Sequence, residues 1–205
     1  MSQRGTSSNL SEAPLVEPAR LHRFSLEDYL RMSELGLFEA GKVEFIAGEV
    51  IDVPPQKNLH SSGVTRARKW ADRAFDDRTH WVRVQMTLQV GQSLPDPDVA
   101  VLDFPDTADD SFAGADRALL VIEVSDTTLL ADTSSKMSLY ASGGVADYWV
   151  LSIPDRTLIV HREPVRAASA RHGWAYADVK RHAPGQSVAP LAAPSAPVDP
   201  ADWLP

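Results

Sequence analysis

Two carboxylates and one ammonium group form a set that could do chemistry. Asp98 follows Pro97 at the start of an apolar stretch, Glu123 lies near the end of the run LLVIEVSD (119–126), and Lys136 follows in the next segment. An unpaired carboxylate in a buried strand costs several kcal/mol or gives up its charge. Glu123 therefore needs a partner: an Arg, a Lys or backbone N–H groups in a structural pair, or a metal ion or second acid in a functional one. If the two apolar stretches pair as strands, Asp98 and Glu123 approach each other, and oxygen ligands so placed suit a hard cation. A nearby lysine can then orient a water or stabilise charge building on a phosphorus centre.

The elements that must position these residues are legible in the patterning. FSLEDYLRMSELG (24–36) reads as a short helix, with Ser25 and Asp28 at capping-box spacing, Phe24 placed to staple to Tyr29, and Gly36 closing it. KVEFIAGEVIDV (42–53) reads as a hairpin turning at Ala47-Gly48, with Glu44 and Ile46 on one face and Val43 and Phe45 on the other. From Asn58 to about Asp77, Val64, Ala67, Ala71, Ala74 and Phe75 recur at helical spacing opposite a basic stripe of Arg66, Lys69 and Arg73. WVRVQMTLQV (81–90) alternates as one strand, and PDVAVLDF (97–104) begins another. After LLVIEVSD, a helix is expected over roughly 127–142 up to Gly143-Gly144, then a hairpin of DYWVLSI and TLIVHRE and an edge strand WAYADVKRH. This order predicts an α/β or α+β class, three-layered, with helices flanking a mixed sheet.

Pro97-Asp98, Glu123-Val124-Ser125, Asp132, Lys136, Tyr140, Gly144-Val145 and Asp147-Tyr148-Trp149, together with the stretch 43–49 and His60, resemble the PD-(D/E)XK nuclease superfamily. More narrowly they resemble its Uma-two branch of restriction endonucleases, a family with few established functions. The resemblance runs from about Phe24 to Glu163 and implies a restriction-endonuclease-like core, a central four-stranded mixed sheet with metal-binding acids at strand ends. It implies a Mg²⁺- or Mn²⁺-dependent nuclease, a hydrolase acting on DNA more readily than RNA. Asp98 would be the motif Asp, Glu123 the motif acid and Glu44 a supplementary acid. Ser125 stands where the simplest motif has Lys, and Lys136 on the next helix would take its place.

Each residue also has an ordinary explanation. Glu123 can pair with Lys136 or an Arg, Asp98 can be a turn residue, and Lys136 can pair with Asp132 along a helix. Glu44 can face solvent, His60 reads more simply as a helix-entry or surface histidine than as a catalytic base, and Arg66, Lys69 and Arg73 can be a solvated face rather than phosphate contacts. The alternative to a nuclease is then a non-catalytic homodimeric binding or regulatory module of the same fold.

The bulk properties bound these readings. The chain has 205 residues, a formal net charge of −8 and no cysteine, which disfavours strong non-specific polyanion binding and disulfides. No apolar run approaches the ~20 residues of a membrane span, and the first residues lack a secretory h-region, so a cytoplasmic location is expected; a homodimer is the expected assembly. One domain over 21–183 is expected between a flexible tail (1–20) and a Pro/Ala-rich tail (184–205).

Overall fold

The computed structural model describes residues 21–104, 112–126 and 135–205. The expected tail 1–20, the start of the helix expected from 127, and Asp132 lie outside the described residues. Helix α1 (Leu26–Glu34) opens on the expected capping box, the Ser25 side chain accepting from the Asp28 N–H while Asp28 accepts from the Ser25 N–H. Its Tyr29 stacks on Phe45 and Phe38, and Phe24 packs edge-on against the His22 ring. The hairpin follows as β1 (Val43–Ile46) and β2 (Glu49–Asp52). Both turn residues have positive φ, Ala47 at 51° and Gly48 at 85°, the conformation a tight two-residue hairpin requires.

Helix α2 (Asn58–Ala74) buries Gly63, Val64, Ala67, Trp70 and Ala71. Strands β3 (Trp81–Val84) and β4 (Leu88–Gln89) occupy the stretch expected to be one strand. The alternation breaks at Gln85, whose φ is 53° and whose N–H turns to the Pro97 and Asp98 carbonyls. Then come β5 (Val99–Leu102), β6 (Ala113–Gly114), a 3-10 turn (Ala115–Arg117), β7 (Ala118–Ser125), α3 (Met137–Ser142), β8 (Asp147–Ser152), β9 (Thr157–Arg166), β10 (Trp174–His182) and α4 (Pro200–Trp203).

Six strands form the main sheet in the order β10-β9-β8-β7-β5-β3, against the four expected. Within this sheet, among the described residues, only β7 and β8 run parallel, and in chain order they are separated by the segment that includes α3, as a parallel crossover requires. Apolar residues cover both faces, which explains why LLVIEVSD reads as a continuous run. One layer sets Val64, Ala67 and Trp70 of α2 on Leu120, Ile122, Val124 and Trp149. The other sets Leu139 and Tyr140 of α3 and Ile46 of the hairpin on Val121, Tyr148 and Val150. Among the described residues no helix is long and apolar enough to cross a membrane.

The Pro/Ala-rich end does not behave as the loose tail its composition suggests. Val188 and Val198 bridge each other through both backbone bonds, and α4 delivers Trp203, 1% exposed, onto Trp70 and Trp149. Buried Asp147 accepts from Arg162, from the Trp149 indole and from the Leu191 N–H, so a carboxylate inside the sheet holds this segment down. Apolar anchors and one satisfied charge outweigh the proline content.

His161 gives the fold a pH limit. Burial, aided by the Arg181 charge, lowers its pKa to about 4 despite its backbone bond to the Tyr148 carbonyl. The unfolded chain protonates this imidazole near pH 6.5 and the folded chain only near 4. Stability is therefore intact above about 6.5 and falls by roughly 3 kcal/mol as pH drops through that window. Denaturant melts at stepped pH should show that slope, and His161→Phe should flatten it.

Candidate active site

The hydrogen-bond register brings the two motif acids together. Val99 pairs with Ile122 in antiparallel β5 and β7, so one residue back along β5 and one residue on along β7 set Asp98 across from Glu123. Both line a cleft of about 450 Å³ with Glu44, Lys136, His60 and Asp96. The face of β7 thus turns from core to cleft near its end, as an accessible acid requires. Glu123 is nonetheless 3% exposed and Asp98 5%, so their partners decide their chemistry.

Glu123 accepts from the Lys136 ammonium at 3.2 Å and from the Tyr140 hydroxyl at 3.0 Å on the same oxygen, Oε1. Lys136 also donates to Glu44 Oε1 at 3.1 Å, which accepts from the Asp96 N–H at 3.2 Å. The single lysine therefore bridges two buried carboxylates from β1 and β7. Glu44 is not the solvent side of its hairpin: the hairpin is docked through Phe45, which exchanges backbone bonds with Leu94, and this turns Glu44 inward. Burial, the Glu123 and Glu44 charges and the hydrogen bond to Glu123 push the Tyr140 hydroxyl well above its usual range, so it stays a neutral donor.

Asp98 is held by other groups. Its Oδ2 accepts from the Val124 N–H at 2.8 Å and faces His60 Nε2 at 3.0 Å, and its Oδ1 accepts from the Gln85 amide at 3.2 Å. Burial acts to raise the Asp98 pKa, but the bonds and charge of His60, then Val124 and Gln85, outweigh it, and the carboxyl sits below its ordinary value. It is ionised at neutral pH. His60 is therefore no surface histidine. Its reach depends on Gly63, one turn along α2, because a Cβ there would meet Val124 Cγ1 at 2.9 Å; glycine lets the helix lie close to β7.

Sequence reasoning missed one contributor, Gln85, and read a second, His60, as a helix-entry or surface residue. Gln85 lies inside a well-formed alternating pattern, and nothing local marks it as the residue that leaves the strand to bind Asp98. His60 carried a signal only as part of the resemblance. Ser125, at the position of the motif lysine, is fully buried, and its hydroxyl has no hydrogen-bond partner among the described residues. The basic stripe lies elsewhere. Arg66, Lys69 and Arg73 are exposed on α2, and Arg66 donates to the Leu204 carbonyl of the C-terminal segment.

Among the described residues, no three His, Asp or Glu side chains converge to enclose a metal ion. The donor chemistry still suits a Mg²⁺-type ion, which is commonly bound by one or two carboxylates, with water and substrate phosphate completing the shell. Asp98 Oδ1 has one donor against two on Oδ2, so this carboxylate retains acceptor capacity.

Comparison with known proteins bears on this arrangement. No curated protein matches the chain. The chain shares its fold with the crystal structure of "a putative nuclease belonging to DUF820" from Anabaena variabilis. That likeness has a TM-score of 0.67 at 15% identity and covers 88% of this chain and 97% of the other. It confirms the restriction-endonuclease-like fold. The family model for Uma2, described as "Putative restriction endonuclease", matches residues 26–194, which take in every acid of the cleft and Lys136, and the chain belongs to that family.

Proposed function

We propose that the cleft hydrolyses phosphodiester bonds of nucleic acid, DNA in preference to RNA, with a divalent cation held by Asp98 and Glu123. The observation that carries this is the meeting of Asp98, Glu123, Glu44 and Lys136 in one cleft at strand ends, within a family described as restriction endonucleases. The cation would polarise the scissile phosphate and lower the pKa of a water. The chain supplies the rest. Val124, His60 and Gln85 fix the Asp98 carboxylate and keep it ionised, and Tyr140 fixes Glu123. Glu44 holds the Lys136 ammonium in the cleft, where it faces the charge that builds on phosphorus.

One observation favours a non-catalytic binding module instead. Lys136 already bridges Glu44 and Glu123, an ion-pair network that needs no cation. A cleavage assay on supercoiled DNA and on an end-labelled single strand, with Mg²⁺ or Mn²⁺, separates the two readings. Cleavage that EDTA abolishes and Lys136→Met slows roughly 10²–10³-fold supports hydrolysis, as expected for losing one charge-stabilising group. No cleavage with either metal leaves the binding module.

A further inference from the structure

We propose that the acid cleft continues into a pocket for an unpaired nucleobase, so that the preferred substrate is a single strand or locally unpaired DNA. This deepens the phosphodiesterase reading and rests on it. A second hollow of about 590 Å³ adjoins the acid cleft, sharing Lys42, Asp52, Val53, Pro54, Pro55 and Gln56 with it. Ala40, Gly41 and Gln85 complete its lining. Val53 and the two prolines supply apolar lining to both hollows, and Ile51, 40% exposed, adds to it on the acid-cleft side. Proline fixes its own φ and restricts the residue before it, so Val53-Pro54-Pro55 is a stiff surface. Such a wall offers nothing to a phosphate and a flat contact to a base or sugar.

The polar groups of the hollow match a base edge. The Gln85 amide NH₂ donates to Gln56 Oε1 at 2.7 Å and to Asp98 Oδ1 at 3.2 Å. Both hydrogens of that NH₂ are thereby used, which orients the Gln85 carbonyl oxygen, and the Gln56 NH₂ takes no part in this chain of bonds. The two glutamines thus bring to the lining of the hollow an amide donor and a carbonyl acceptor, the group types that pair with a nucleobase edge. The same chain ties the hollow to Asp98, so a base bound there lies on the strand whose phosphate reaches the acids.

Charge points the same way. Six carboxylates line the acid cleft, Glu44, Asp52, Asp96, Asp98, Glu123 and Asp126, against the three lysines Lys42, Lys57 and Lys136. Lys42 is itself paired with Asp96 at 3.1 Å. Duplex binding draws its affinity from many neutralised phosphates, and this cleft offers few. Contact between a base and the apolar wall supplies binding that does not depend on phosphate number.

Fluorescence anisotropy with one labelled 20-mer tests this, as a single strand and as a blunt duplex, in Ca²⁺ to suppress cleavage, at fixed salt. Single-strand affinity at least tenfold above the duplex, reduced about tenfold by Gln56→Ala and by Ile51→Ser, supports the pocket. Ile51→Ser changes a partly exposed position and guards against a folding defect in the first variant. Equal affinity for both forms, no binding of either, or single-strand binding that neither variant weakens overturns it. A single-strand preference in a protein that cleaves nothing in Mg²⁺ or Mn²⁺ keeps the pocket and removes the hydrolytic reading.

Discussion

Asp98→Ala should remove the stabilisation that Mg²⁺ or Mn²⁺ confers on the protein. A cation that binds only the folded chain adds RT ln(1 + [L]/Kd), about 2.7 kcal/mol at a concentration a hundredfold above Kd. For a chain of this size that corresponds to a rise in Tm of roughly 5–10 °C. The wild type should show that rise over millimolar metal, and Asp98→Ala should show none. The substitution also acts without metal, because the Val124 N–H, the Gln85 amide and His60 lose their shared acceptor. Each buried donor left without a partner costs about 1–3 kcal/mol. The metal-free variant should therefore melt lower than the wild type, and the two effects separate in one titration: a lower baseline, and a flat response. A metal-dependent rise equal to that of the wild type would remove Asp98 from any cation site.

The largest effect on stability is expected near the C-terminal end, at a residue that does not line the cleft. Trp203 packs at 5.1 Å from Trp70 and 5.9 Å from Trp149, ring centre to ring centre, and is 1% exposed. Trp203→Ala should cost about 3–5 kcal/mol through lost burial and the cavity left behind, a fall of roughly 6–20 °C in Tm. The indole N–H of Trp203 is buried without a hydrogen-bond partner among the described residues, so it already carries a desolvation cost. Trp203→Phe removes that donor along with part of the ring and should fall well short of the alanine variant. Thermal melts of the two variants would show whether the C-terminal segment is part of the core. A Trp203→Ala protein as stable as the wild type would return residues 184–205 to the status of a tail.

The difference between that tail and what the residues form shows what patterning can and cannot give. Hydrophobic period placed the capped helix at Ser25, the hairpin at Ala47-Gly48 and the buried strand around Glu123, because each is set by neighbours within a few residues. Asp98 and Glu123 were readable as partners for the same reason, since two pairing strands place their ends together whatever else the fold does. The docking of Trp203 is different in kind. It depends on Trp70, Trp149 and the Asp147–Arg162 pair, which lie 41 or more residues away from Trp203 in sequence. Prolines and alanines around it carry no sign of that.

Gln85 and His60 were hidden for a related reason. The break at Gln85 is stabilised by the Pro97 and Asp98 carbonyls, and its positive φ costs on the order of 1 kcal/mol that only those bonds and the Asp98 contact offset. In the sequence it sits inside a strand-like alternation. His60 shares the first turns of α2 with exposed polar residues, and only the close approach at Gly63 turns its ring onto Asp98. Lys136 was visible as a candidate, but its reach to both Glu44 and Glu123 follows from the hairpin folding over the sheet.

The most direct test of the hydrolytic cleft is the rate at which wild type and Glu123→Gln cleave an end-labelled DNA strand in Mg²⁺ under single-turnover conditions. Glutamine keeps the size of the side chain and an oxygen for the Tyr140 hydroxyl but removes the charge that a cation and Lys136 require. The geometry predicts metal-dependent cleavage by the wild type and a loss of at least 10²-fold in the variant, with folding retained. Equal rates for the two proteins would contradict it.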